Sequence, residues 1–277
     1  LTPGERAEAL VSEFGISSPS ELDVEAIAYD AGMDVRYENL DGCEATLVGF
    51  KKKAIATIRP SGNRGRERFS VAHELGHWNM HRGKSFRCRV DDQSANLASD
   101  APREKEADSY AAHLLMPRYL FDPAIRSGSK IPNFKHIGEV AEDFEVSVAA
   151  AIIRMTEVDS LPVIVACYDV EGIRWRAFAP HVPRRWRLVQ TLDDDSFAYD
   201  IINGVTSQPC SGKQEAAAWF SNDEAESYEV HENAMPGRSG EVLVMLYLGD
   251  TEMFECPYEH GHEGAGRSSP SFIRQLR

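Results

Sequence analysis

The 277-residue chain has no apolar run as long as a membrane span, and its first thirty residues lack a signal-peptide apolar core. Both absences make the cytoplasm the expected location. Cysteine is scarce, with five residues at positions 43, 88, 167, 210 and 256, an odd number without regular spacing. That excludes a disulfide framework or a zinc-ribbon arrangement and suits a reducing compartment. Positive charge is short as well: 30 Lys and Arg stand against 44 Asp and Glu, for a net charge of −14. Non-specific affinity for nucleic acid comes mostly from Lys and Arg neutralising phosphates, so direct DNA binding is not the expected role. An acidic surface suits a soluble protein with a basic partner. The length allows two domains of ordinary size, each burying its own core.

What is present is concentrated in His73-Glu74-Leu75-Gly76-His77. On a helix, residues i and i+4 share a face, so the two imidazoles can converge on one zinc ion while Glu74, one residue round, reaches a water beside it. Val71, Ala72, Leu75, Gly76 and Trp78 give this helix an apolar stripe, and Arg64, Arg66, Glu67 and Arg68 form a charged approach. The helix is expected to end near Arg82-Gly83, where glycine can take the left-handed C-terminal conformation.

A catalytic zinc site needs a third protein ligand and one open position. His81 extends the series His73, His77, His81, but eight residues of helix put it about 12 Å from His73, too far to share an ion. It reads as structural. The better candidate lies in a helix predicted over residues 102–117, with Pro102 in its first turn, acidic residues near its start and Pro117 at its end. Glu104 and Asp108 sit one turn apart on it. Glu104 would be the ligand, and Asp108 would accept the N–H of a ligating histidine and fix its tautomer. Glu106, on another face, is the fallback ligand.

These residues resemble a known family. The run from Arg66 to His77, followed by Glu104 to Pro117 with its Ala-Asp-x-Tyr-Ala-Ala-x-Leu-Leu-Met-Pro pattern, is similar to the ImmA/IrrE family of bacterial and phage metallo-endopeptidases. The resemblance covers about residues 5 to 157; residues 160 to 277 carry no motif that can be assigned. It implies a gluzincin-like site with one zinc per chain, held by His73, His77 and Glu104, and Glu74 as general base. It also implies a substrate class, because several members cleave helix-turn-helix repressors to switch on mobile-element or DNA-damage genes. The family often has asparagine and phenylalanine where this chain has Asp108 and Tyr110, and neither change removes a required group.

The expected chemistry is therefore zinc-dependent cleavage of a regulatory protein, such as a repressor or an antitoxin, in a stress or mobile-element response. Glu74 takes a proton from the attacking water and passes it to the leaving nitrogen. Tyr110, His113, Tyr119 and Arg66 are candidate donors to the oxyanion. Two other readings use the same residues: a regulator that binds such a partner without cutting it, and a zinc hydrolase acting on a small amide.

The expected fold is α+β, with a zincin-like metallopeptidase domain at residues 1–160 and a sheet-rich α+β domain at residues 161–277. Thr2-Pro3-Gly4-Glu5 has capping-box form, so a helix is predicted to about residue 14, and a second after Asp23 that stops at Gly32. Short strands are predicted at 33–37, 45–49 and 54–58, with the last as an edge on which an extended substrate could add, so that Ala56→Pro would report on recognition. Residues 135–157 read as helix, tight turn, helix, with Ser147 as the second N-cap. Two basic residues against five acidic ones there, and Val148, Ala149, Ala150 and Ala151 where base-reading groups would be, make it a packing element. Further on, strands are predicted at 162–168, 173–178, 186–190, 197–201, 242–248 and 252–255, and a helix at 213–220. Cys256, His260 and His262 are loosely spaced and read as an unmetallated tail rather than a second metal site.

Overall fold

The computed structural model describes residues 1–81, 86–88, 101–237 and 240–255, with backbone alone for 86–88 and 101. The described chain is α+β and forms two compact units. One comprises Leu1–Pro123 with Glu139–Ala151, the other Ala124–Gly138 with the described chain from Ile152 to Glu255.

In the first unit, Thr2 starts α1 (Pro3–Glu13) through a capping box: its hydroxyl accepts from the Glu5 N–H at 3.2 Å, and the Glu5 carboxylate accepts from the Thr2 N–H at 2.8 Å. Asp23 caps α2 (Val24–Asp30) by accepting from two backbone N–H groups at 3.0 Å. Strands β1 (Met33–Tyr37), β2 (Ala45–Phe50), β3 (Lys53–Ile58) and β4 (Phe86–Cys88) form a sheet in the order β1-β3-β2-β4. β1 runs parallel to β3, and the other pairs are antiparallel. The motif helix α3 (Arg64–Met80), capped by Asn63, lies with α4 (Ala101–Leu115) in one core in which Val71, Leu75, Trp78 and Leu114 join Leu47, Ala56 and Ile58 of the sheet. The Trp78 indole N–H donates to the Ala31 carbonyl at 2.8 Å, tying α3 to the end of α2.

This topology corrects one expectation. β3 is an inner strand, paired through Ala56 to Val35 on one side and Leu47 on the other, and Ala56 is fully buried. A proline there would remove a ladder bond from the sheet and would say nothing of substrate. The parallel partner β1 was invisible because strand alternation reveals faces and not neighbours.

After α4 come α5 (Arg118–Arg126), which contains Pro123 and was not anticipated, then α6 (Phe134–Asp143) and α7 (Val148–Glu157). Between α6 and α7 the tight turn has Glu145 at φ 52°, and Ser147 accepts from the Ala150 N–H at 3.1 Å. Arg64 and Arg68, at the start of α3, both pair with the Glu145 carboxylate.

The second unit holds an antiparallel sheet in the order β6-β5-β9-β8-β7, made of β5 (Val163–Asp169), β6 (Gly172–Phe178), β7 (Cys210–Glu215), β8 (Glu229–Pro236) and β9 (Val242–Tyr247). Four expectations fail here. Residues 197–201 lie in helix α8 (Phe197–Ile202), started by Ser196, whose side chain accepts from the Tyr199 N–H. The predicted helix over 213–220 is instead β7 followed by a 3-10 turn at Ala216–Ala218, because pairing with β8 overrides the helix propensity of its alanines. Residues 186–190 contribute a single bridge, Leu188 to Phe220, and 252–255 lie on a 3-10 turn at Thr251–Phe254 and its cap. β8 went unpredicted. Cys256, His260 and His262 lie outside the described residues.

Candidate metal centre

Helices α3 and α4 bring three side chains together. The Nε2 atoms of His73 and His77 are 3.0 Å apart, Glu104 Oε2 is 3.5 Å from His73 Nε2, and Glu104 Oε1 is 3.3 Å from His77 Nε2. All three residues are buried. A tetrahedral zinc ion with bonds of about 2.0–2.2 Å would set its ligand atoms about 3.4 Å apart, so the cluster has the dimensions of a zinc site. The hydrogen bonding fits too. His73 Nδ1 lies 2.9 Å from Asp108 Oδ1. A carboxylate accepts, so that nitrogen carries the proton and the Nε2 lone pair faces the cluster, as a metal ligand requires.

The electrostatics agree. Burial pushes the Glu104 carboxyl up, but the hydrogen bonds and charges of His73 and His77 outweigh it and hold it well below the usual carboxylate range. Burial pushes the His77 imidazole down, partly opposed by Glu104. A divalent cation would displace any proton shared between Nε2 and Glu104, leaving an ionised carboxylate beside two imidazole lone pairs. Glu74 is fully buried on the same helix, one residue from His73.

Gly76 makes this approach possible. A Cβ there would lie 3.1 Å from Tyr110 Cβ and 3.2 Å from Ala107 Cα, so even alanine would need its neighbours on α4 to give by a few tenths of an ångström, and larger side chains by more.

Other candidates lie elsewhere. Glu106, the fallback ligand, turns to His81, whose Nε2 is 2.8 Å from its Oε2, with half of the Glu106 side chain exposed. His81 is no ligand but the residue behind one, its Nδ1 3.1 Å from His77 Nδ1. α3 stops at Met80 with His81 as its C-cap, short of the expected Arg82-Gly83, which lies outside the described residues. The four oxyanion candidates have partners of their own: the Tyr110 hydroxyl accepts from Asn79 Nδ2 at 2.8 Å, His113 Nδ1 is 2.7 Å from Glu8, the Tyr119 hydroxyl donates to the Ile16 carbonyl, and Arg66 pairs with Glu44. The sequence reading missed the link between His81 and Glu106. The i+4 spacing of His77 and His81 signalled half of it, and the other half sits on a different helix.

Comparison with known proteins gives two findings. Residues 28–156 match the family model described as the IrrE N-terminal-like domain of the M78 peptidases. Among solved structures, a Mycobacterium tuberculosis transcriptional regulator superposes with a TM-score of 0.63 at 15% identity, covering 89% of this chain and 76% of that one. At that identity the likeness speaks for the fold. No curated protein matches the sequence.

Proposed function

We propose, for a chain whose residues 28–156 form an IrrE-type peptidase domain, a zinc-dependent endopeptidase that cuts a specific regulatory protein. The observation that carries this is the buried His73, His77 and Glu104 cluster, whose spacing fits zinc and whose His73 lone pair is turned inward by Asp108. Bound there, zinc would polarise the scissile carbonyl and make a water acidic enough to lose its proton near neutrality. Glu74 takes that proton on its carboxylate and delivers it to the leaving nitrogen. Asp108 holds the His73 ring in its ligating tautomer and orientation. Residues 1–160 are assigned to the peptidase domain and residues 161–277 to a second domain.

The substrate proposed is a helix-turn-helix repressor or an antitoxin, met in the cytoplasm. Two things support it: the family resemblance, and a net charge of −14 that complements a basic DNA-binding protein. Among the described residues no helix is long and apolar enough to cross a membrane. The fold shared with a protein described as a transcriptional regulator favours one second reading, a regulator that holds its partner without cutting it. Mass spectrometry of proteins captured by zinc-loaded Glu74→Gln and by wild type separates the two. An intact repressor on the variant, and two fragments of it with wild type, is the expected result. The same partner recovered intact from both would overturn cleavage in favour of holding.

A further inference from the structure

We propose that His81 and Glu106 form a hydrogen-bond relay that dictates which nitrogen of His77 carries the proton, and so makes His77 a competent ligand. The proposal rests on the zinc reading above and deepens it. At His81 the backbone leaves the helix, with φ −121° and ψ 36°, while its N–H still reaches the His77 carbonyl at 2.8 Å. The departure lays its ring beside that of His77, with centroids 5.3 Å apart and planes at 50°. His77 Nδ1 and His81 Nδ1 come within 3.1 Å, and His81 Nε2 lies 2.8 Å from Glu106 Oε2.

Counting protons gives this chain one direction. The Glu106 carboxylate accepts only, so His81 Nε2 must carry a proton. A neutral imidazole has a single N–H, which leaves His81 Nδ1 as an acceptor. His77 Nδ1 must then donate, which frees the Nε2 lone pair for a metal ion; without the ion, Nε2 also lies 3.3 Å from the accepting Glu104 Oε1 and can carry a proton of its own. Reversing any link would put a proton on Nε2 and remove a ligand. The two histidine ligands are thus held differently: His73 by a carboxylate directly, and His77 through a second imidazole whose carboxylate is half exposed. His81 and Glu106 are positioning residues, acting through His77.

Two readouts test the relay: zinc affinity by competition with a chromophoric chelator, and 15N NMR of the histidine rings with and without metal. Partners of metal-bound histidines typically contribute about tenfold to a hundredfold in affinity, and His81→Phe is expected to lose that much. Glu106→Ala should lose less, and Glu106→Gln, which keeps an acceptor, should recover most of it. The half-exposed position of Glu106 keeps this comparison usable if His81→Phe fails to fold. The NMR should place protons on His77 Nδ1 and His81 Nε2 in the zinc-loaded protein, and on His81 Nε2 in the metal-free protein as well. A proton on His81 Nδ1 without one on Nε2, or wild-type zinc affinity in both His81→Phe and Glu106→Ala, overturns the relay. Wild type that takes up no zinc would sink the function proposed above, while the position of the His81 proton in the metal-free protein would still decide the relay.

Discussion

Each of the two compact units buries a glutamate, and the two are driven in opposite directions. Glu104, in the first, is held well below the usual range because two imidazoles converge on it against the cost of burial. Glu232, in the second, is fully buried, and burial pushes it up to about 7 although the Ala198 N–H at 2.8 Å and the Phe197 N–H and Trp219 indole at 3.2 Å pull the other way. Burial alone therefore does not mark a reactive carboxylate. The partners do: side chains with lone pairs gathered on one point suit an ion, whereas N–H donors that start helix α8 and pin an indole complete a fold.

The sharpest break in this contrast is Glu104→Ala. Wild type should be stabilised by zinc, by about 3 kcal/mol at a hundredfold excess over Kd, and the variant should lose both the stoichiometric metal and the thermal shift. Normal zinc content in the variant, measured by elemental analysis, would show that the ion is held by other groups.

Glu232→Gln should have a smaller effect and only on stability. The folded-state value is raised to about 7 from an ordinary 4.5, so the folded protein binds this proton more tightly than the unfolded chain. Wild type therefore gains stability as pH falls from above 7 towards 4.5, and carries the full cost of the buried charge above 7. Over that window its stability relative to the variant should change by about 2–3 kcal/mol. Parallel denaturation curves across the window would mean that the N–H donors keep the carboxylate ionised throughout.

Smallest is Tyr110→Phe. It removes a hydroxyl that accepts from Asn79 and should cost about 1 kcal/mol with kcat retained. A kcat reduced a hundredfold, with the fold intact, would make Tyr110 an oxyanion donor.

The same contrast divides what could be read from the sequence. Helices α1, α2 and α3 of the first unit announce themselves through local chemistry: Thr2 with Glu5, Asp23, and the i+4 spacing of the two histidines all act within one or two turns. Glu104 was legible because its helix carries its own start signals and a carboxylate pair one turn apart. In the second unit the deciding contacts are distant. The start of α8 is served by Glu232, 34 and 35 positions away, and the apolar and aromatic composition of that segment suggested a strand. Residues 213–215 became strand because β8 lies alongside, and β8 itself was not recognised. The inner position of β3 escaped for the same reason, since its neighbour β1 joins it across a crossover.

Gly76 ends up with a standing its chemistry would not suggest. It offers no proton, charge or lone pair, yet the room its missing side chain leaves against Ala107 and Tyr110 is what lets two helices share an ion. In a saturation library selected for function, side chains larger than alanine at the middle of the motif would be depleted along with changes at its ends. A designer transplanting this centre would have to carry over an empty space along with the side chains.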